Sequence, residues 1–234
     1  MTTRTGTVLI TGAARGIGLE FVRHYLARGW QVHACARNLA EATELQQLEQ
    51  SGSGLSLHQL DISSDEQIAE LTLALDRQPL DLLINNAGIY GPKKLAFGEV
   101  TRDRWRRVLE INTISPLMLT QALIGNLMAG RQKKVLMLSS KVGSISDNSG
   151  GAGYYYRSSK TALNQVVKSL SIDLAEKGIS VLALHPGWVQ TEMGGPNALI
   201  STAESVAGLV EVIDALDLQS SGQFIEYNGK QIPW

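Results

Sequence analysis

Tyr156 and Lys160 stand four residues apart in the run Tyr154-Tyr155-Tyr156-Arg157-Ser158-Ser159-Lys160. Of the three tyrosines, only Tyr156 has a lysine four positions on. The residues from Lys160 to Ala175 have helical periodicity, with apolar side chains at Ala162, Leu163, Val166, Val167, Leu170 and Leu174. A helix beginning near Tyr154 therefore puts the phenol and the ammonium on one face. A positive charge beside a phenol favours phenolate and lowers its pKa from about 10. A phenol tuned in this way serves as general acid or base near neutral pH. An amphipathic wall tyrosine next to a solvated lysine has the same spacing, so the pair takes its meaning from what stands upstream.

Upstream, the short apolar run Val8-Leu9-Ile10 has the character of a strand buried on both faces. It leads into Thr11-Gly12-Ala13-Ala14-Arg15-Gly16-Ile17-Gly18, then a helical pattern through Leu19, Phe21, Val22, Tyr25 and Leu26 that Gly29 closes. Strand, glycine loop and helix together form the setting of a dinucleotide site: glycines let the backbone turn tightly and approach a pyrophosphate, whose charge meets free amides at the helix N-terminus. The spacing Gly-x-x-x-Gly-x-Gly, with no Gly-Lys-Ser/Thr after it, excludes a nucleoside triphosphatase loop. A ligand-free glycine turn has the same local pattern.

The second predicted strand, Gln31 to Ala36, ends at Arg37-Asn38, and the first carboxylate beyond it is Glu41. An acid at that end would hydrogen-bond the adenosine ribose of NAD, whereas a cation accommodates the 2′-phosphate of NADP. Arg37, with Arg15 from the glycine loop, therefore predicts NADP(H) over NAD(H). Further along, a helix is predicted over Leu39 to Gln50 and a turn over 51–54. A strand from Leu55 ends at Asp61-Ile62, and Ser64 and Gln67 form a capping-box pattern on a helix from Asp65. A strand from Leu80 to Ile84 runs into Asn85-Asn86-Ala87-Gly88, which suits a backbone passing close to a ligand. Helices are predicted over Arg102 to Thr113 and Pro116 to Met128, then a strand from Lys134 to Ser140. The Tyr156 helix follows, then a strand closing at His185-Pro186-Gly187-Trp188-Val189-Gln190-Thr191. A helix from about Ala203 and a short strand from Gly222 to Tyr227 end the pattern.

Strands alternating with helices predict a parallel sheet covered on both faces. Ligands of such sheets bind beyond the C-terminal strand ends. The glycine loop, Arg37, Asp61, Asn86 to Gly88, Ser140 and Pro186-Gly187 all fall at such ends.

Composition narrows the function classes. The chain has 234 residues, 44% hydrophobic and 18% charged, as in ordinary globular proteins, and the pattern contains no repeat or linker, which predicts one domain over 1–234. A formal net charge of -1 argues against a nucleic-acid binder; the basic cluster Arg102 to Arg107 reads as a solvated helix face. No apolar run has membrane-span length, the start does not resemble a signal peptide, and the expected location is cytoplasmic. Cys35 is the only cysteine, so no intramolecular disulfide forms and a small buried hydrophobe is its expected role. His24, His33, His58 and His185 are scattered without ligand-like neighbours in sequence, so no metal site is expected.

Taken together, Thr11-Gly12-x-x-x-Gly16-x-Gly18, Asn85-Asn86-Ala87-Gly88, Asn112, Ser140, Tyr156-x-x-x-Lys160 and Pro186-Gly187 resemble the short-chain dehydrogenase/reductases, in order and over essentially the whole chain. The loop Gly143-Ser144-Ile145-Ser146-Asp147-Asn148 and the ending Gly222-x-Phe224 through Ile232-Pro233-Trp234 resemble the C-factor and sniffer-like carbonyl reductase branch. The resemblance implies a Rossmann-type doubly wound parallel sheet of about seven strands, and hydride transfer between NADP(H) and a carbonyl or alcohol. It implies Tyr156 as proton donor, Lys160 lowering the tyrosine pKa and holding the nicotinamide ribose, Ser140 on the substrate carbonyl, and Asn112 supporting a proton-relay water. Gly12, Gly16, Ile17 and Gly18 would pass the pyrophosphate and Asp61-Ile62 hold the adenine. Asn86, Ala87 and Gly88 would line the cofactor, and Pro186, Gly187, Val189 and Thr191 face the nicotinamide. Ser140 lies sixteen positions before Tyr156, a few more than is usual, which leaves Ser144 open as the carbonyl-holding serine. The many apolar positions of the helices 116–128 and 156–174, with the family habit, imply a homodimer or homotetramer. A cofactor-binding signalling or scaffold protein is the alternative from another class.

Overall fold

The computed structural model describes residues 5–52, 54–92, 95 and 97–234. The run Val8-Leu9-Ile10 lies in β1 (Thr7–Thr11), with all three side chains fully buried. The glycine loop leads into α1 (Gly16–Ala27), where Gly29 at φ 75° ends the helix as predicted. There follow β2 (Gln31–Ala36), α2 (Thr43–Ser51), β3 (Leu55–Gln59), α3 (Asp65–Leu75) and β4 (Leu82–Asn85). The second half holds α4 (Arg102–Leu109), α5 (Ser115–Ala122), α6 (Ile124–Ala129), β5 (Lys134–Leu138), α7 (Tyr154–Asp173), β6 (Ser180–His185), α8 (Thr202–Ala215) and β7 (Phe224–Glu226).

All seven strands pair in parallel, in the order β3-β2-β1-β4-β5-β6-β7. The period of two along each strand feeds two separate cores. Val8 and Ile10 join Phe21 and Tyr25 of α1 and Leu209 and Ile213 of α8 on one face. Leu9 and Leu83 join Leu71 of α3, Leu119 of α5 and Leu163 and Val167 of α7 on the other. This is the expected doubly wound, Rossmann-type sheet, and its order reverses between β1 and β4. That switch point opens a crevice above the glycine loop and the β4 turn.

Local chemistry moved several predicted boundaries. The second helix starts at Thr43 rather than Leu39, because Asn38 accepts from the Ala40 amide and a turn closes from Ala42 to Leu39 first. Ser64 caps α3 as predicted, but Gln67 reaches back to the amide of Asp61. The helix expected over Arg102 to Thr113 passes through a π-helical turn, Glu110–Ile114, straight into α5, and the helix expected to run to Met128 breaks at Leu123. Single π turns of this kind cluster at functional sites. The predicted turn over 51–54 includes Ser53, which lies outside the described residues.

Candidate active site

Helix α7 begins at Tyr154, so Tyr156 and Lys160 share a face one turn apart, and the Lys160 Nζ sits 5.7 Å from the centre of the Tyr156 ring. Ser140, just past the end of β5, is hydrogen-bonded to the Tyr156 side chain. Ser144 is committed elsewhere: its hydroxyl donates to the Trp234 carbonyl and accepts from the Asp147 amide. The extra residues between Ser140 and Tyr156 form a short 3-10 turn at Lys141–Gly143 and the loop after it, which leave Ser140 beside the phenol.

Asn112 projects from the π turn and is fully buried. Its amide donates to the Ile89 carbonyl and the Ser159 hydroxyl, and its Oδ1 accepts from the Ile89 amide. A β-carbon on Gly88 would come within 3.2 Å of Asn112 Oδ1 and 3.6 Å of Lys160 Nζ, so Gly88, Asn112 and Lys160 form one tight cluster. Lys160 is buried and donates to the Leu138 carbonyl at 2.7 Å.

The electrostatics correct one expectation. Burial raises the Tyr156 phenol to about 12, against the opposing hydrogen bond from Ser140. Burial also pulls the Lys160 ammonium down to about 7. A lysine that is itself shedding its charge gives the phenol little electrostatic help, so desolvation outweighs the lowering that the four-residue spacing predicts. The arrangement therefore holds a phenol that keeps its proton at neutral pH, beside an amine that titrates there.

The cofactor candidates lie along the same sheet edge. Asn86 donates to the carbonyls of Thr11 and Gly12, and the Thr11 hydroxyl accepts from the amides of Asn86 and Ala87. Glycine is required here by packing: Gly12 sits at φ 63°, where a β-carbon would be 2.9 Å from Ala87 Cα, and one on Gly18 would overlap the Gly12 carbonyl. The Thr191 methyl faces Gly16 across the crevice. The N-terminus of α1 has no side-chain cap and no acid in its first turn, which leaves its positive end for an anion. Arg37 is exposed at the end of β2, and its charge reaches Asp61. Arg15 forms an exposed ion pair with Glu192 at 2.7 Å. Ile17 is partly buried against the core, and Ile62 and Val189 are 6% and 4% exposed, so Ile62 and Val189 offer backbone rather than side chain at this edge. Pro186 accepts from Ser205, and Gly187 turns at φ 83° under Ile200.

Some features gave no signal in the sequence. Tyr90 stacks on Tyr156 with ring centres 4.5 Å apart. With Pro92, Leu95, Val100 and Tyr154 it lines a cavity of about 220 Å³ that reaches Tyr156. An aromatic residue after Gly88-Ile89 has no diagnostic spacing. The neighbouring Tyr155 is structural: it is buried, and its hydroxyl accepts from the Thr101 amide at 2.7 Å. The histidines are less scattered than their numbering suggests, since neighbouring strands bring His33 Nδ1 to 3.0 Å from His58 Nε2. Among the described residues no group of three or more His, Cys, Asp or Glu side chains is placed to hold a metal ion. Nor is any described helix long and apolar enough to cross a membrane.

Comparison with known proteins agrees with this geometry. A sequence model of the family described as short chain dehydrogenase matches residues 6–199. The C-signal of Myxococcus xanthus is 44% identical over 156 residues, 67% of this chain and 93% of that protein. The NADPH-bound carbonyl reductase from chicken fatty liver superposes with a TM-score of 0.93 at 36% identity, over 99% of this chain and 100% of that one. The carbonyl reductase Sniffer of D. melanogaster superposes with a TM-score of 0.94 at 33% identity, over 99% and 100% of the two chains. With a doubly wound sheet, a glycine loop at its switch point and a Ser-Tyr-Lys cluster beside it, this chain belongs to the short chain dehydrogenase family, in the branch of C-factor and sniffer-like carbonyl reductases.

Proposed function

We propose that the chain reduces carbonyl compounds with NADPH, and that Tyr156 supplies the proton. The observation that carries this reading is the hydrogen-bonded Ser140–Tyr156 pair with Lys160 one turn along the same helix face. The glycine cradle, the uncapped N-terminus of α1 and the exposed Arg37, with no acidic residue following β2 before Glu41, fit a dinucleotide bearing a 2′-phosphate. NADPH bound in a 36% identical carbonyl reductase supports the same cofactor here. The cofactor supplies the hydride, and the protein supplies orientation and the proton.

In this reading Ser140 donates a hydrogen bond to the substrate carbonyl oxygen, and Tyr156 delivers its proton to that oxygen as negative charge develops there. A phenol near 12 is fully protonated at neutral pH, which suits reduction over alcohol oxidation. Lys160, poised near 7, returns a proton towards the phenol through the region of Asn112 and Gly88, and holds the nicotinamide ribose when the cofactor is present. Tyr90 and Pro92 wall the substituents of the substrate. The test is a panel of aldehydes and ketones with NADPH, read by loss of reduced-cofactor absorbance. Consumption of NADPH that depends on the carbonyl supports the reading, and its absence across the panel counts against it.

The 44% identity to the C-signal of Myxococcus xanthus favours a second reading, a cofactor-binding signalling protein in which turnover is incidental. The same panel separates the two. We also propose a cytoplasmic location and a homodimer or homotetramer, the assembly alone supported by Met128 and Ile172, which stay 48% and 64% exposed on α6 and α7. Light scattering should return a multiple of 25.3 kDa at micromolar concentration, and the monomer mass would contradict the assembly.

A further inference from the structure

Arg107 looks like one charge among several on an exposed basic helix, yet it is the member of that helix that reaches the cofactor edge. From α4 its Nη1 donates to the Ser63 hydroxyl at 3.1 Å, and its Nη2 lies 4.0 Å from Asp61 Oδ2. Ser63 holds the other carboxylate oxygen, Oδ1, through its amide at 2.9 Å and its hydroxyl at 2.6 Å. Asp61 is thus held at Oδ1 by Ser63, which Arg107 in turn holds, while the guanidinium stands at a looser 4.0 Å from Oδ2, just beyond β3. Burial works to raise its pKa, but the Ser63 hydrogen bonds and the charges of Arg107 and Arg37 hold it below the usual carboxylate range. The carboxylate is therefore an acceptor at any physiological pH.

Its place in the sheet says what it faces. A dinucleotide with its pyrophosphate over the β1 loop would carry its adenosine half across the end of β2, where Arg37 stands. The next strand outward is β3, so Asp61 would face the base, whose exocyclic amine is a hydrogen-bond donor. A carboxylate free to rotate on a surface loop discriminates poorly; one held at Oδ1 by an amide and a hydroxyl, with a guanidinium alongside, is preorganised. We infer that Arg107 is a positioning residue for cofactor binding: with Ser63 it orients Asp61 towards the adenine, and it does not itself touch the 2′-phosphate. This rests on the nicotinamide-cofactor reading proposed above.

The adenine is common to both cofactors, which gives the inference its signature. Dissociation constants for NADPH and NADH, read by fluorescence without substrate, are to be compared in wild type, Arg107→Met, Ser63→Ala, Asp61→Asn and the Arg107→Met/Asp61→Asn double variant. Arg107→Met should weaken both nucleotides by the same factor, roughly two- to fivefold, as befits a half-exposed ion pair. Ser63→Ala should reproduce that equal loss, which separates positioning from any folding defect peculiar to Arg107→Met. The double variant should bind no more weakly than Asp61→Asn alone, because residues acting through one contact are not additive. Unchanged affinity in both Arg107→Met and Ser63→Ala, a loss confined to NADPH, or additive losses in the double variant would each overturn the inference while leaving the reductase reading intact. Wild type that binds neither nucleotide would overturn both.

Discussion

At the scale of single residues, chemistry was legible where spacing encodes it. Tyr156 and Lys160 were readable because a helix fixes their relation, and the structure puts them on one face. Ser140 was readable from the strand that leads to it, although β5 stops at Leu138, two residues short of the expected end. Burial was not readable, and burial reverses the expected tyrosine shift: the phenol goes up and the lysine comes down. Tyr90 was equally invisible, since stacking on Tyr156 depends on how the β4 loop folds back. Arg37 gives the prediction proper to this scale. A charge-assisted hydrogen bond to a phosphate is worth about 1.5–3 kcal/mol. Arg37→Ala should therefore weaken NADPH roughly tenfold or more and leave NADH nearly unchanged. Titrating both cofactors checks it, and equal wild-type affinities would remove Arg37 from cofactor choice.

At the scale of elements, the strands were the easier part. Short apolar runs such as Leu82 to Ile84 are buried on both faces, so periodicity and burial agree. The helices past β4 were harder. Nothing in Glu110-Ile111-Asn112-Thr113-Ile114 announces a π turn, because that geometry comes from fitting Asn112 between Ile89 and Ser159. The glycine loop was legible as a motif but for a narrower reason than its full cause. Its glycines serve the packing of β1 against the Asn86 turn as well as any ligand. Gly18→Ala tests this: the added methyl overlaps the Gly12 carbonyl and meets Asn86, so stability should fall by about 1–3 kcal/mol even without cofactor. Denaturant unfolding of the cofactor-free protein measures it, and an unchanged midpoint would mean that the loop yields without cost.

At the scale of the whole molecule, convergence of weak motifs on one edge of the sheet was the strongest signal in the sequence, and the strand order accounts for it. What the sequence withheld were pairings across that order, such as Arg107 with Asp61 and His33 with His58. The histidines set a pH limit on the fold. Burial, with His58 beside it, lowers His33 to about 4, and burial likewise lowers His185 to about 4. Both bind protons more weakly folded than unfolded, so stability is full above about pH 6.5, starts to fall below it, and is lost through about pH 4. The denaturant midpoint should be lower at pH 5 than at pH 7.5, and His33→Gln should shrink the difference; equal wild-type midpoints would contradict this. The central claim is that the Tyr156 phenol protonates a carbonyl that NADPH reduces. Its most direct measurement is turnover of one accepted carbonyl by wild type and Tyr156→Phe, each saturated with NADPH, with cofactor affinity determined separately. Loss of the hydroxyl should lower turnover by roughly 10²–10⁴ while NADPH binding is kept. Turnover undiminished in Tyr156→Phe at full cofactor occupancy would contradict the claim.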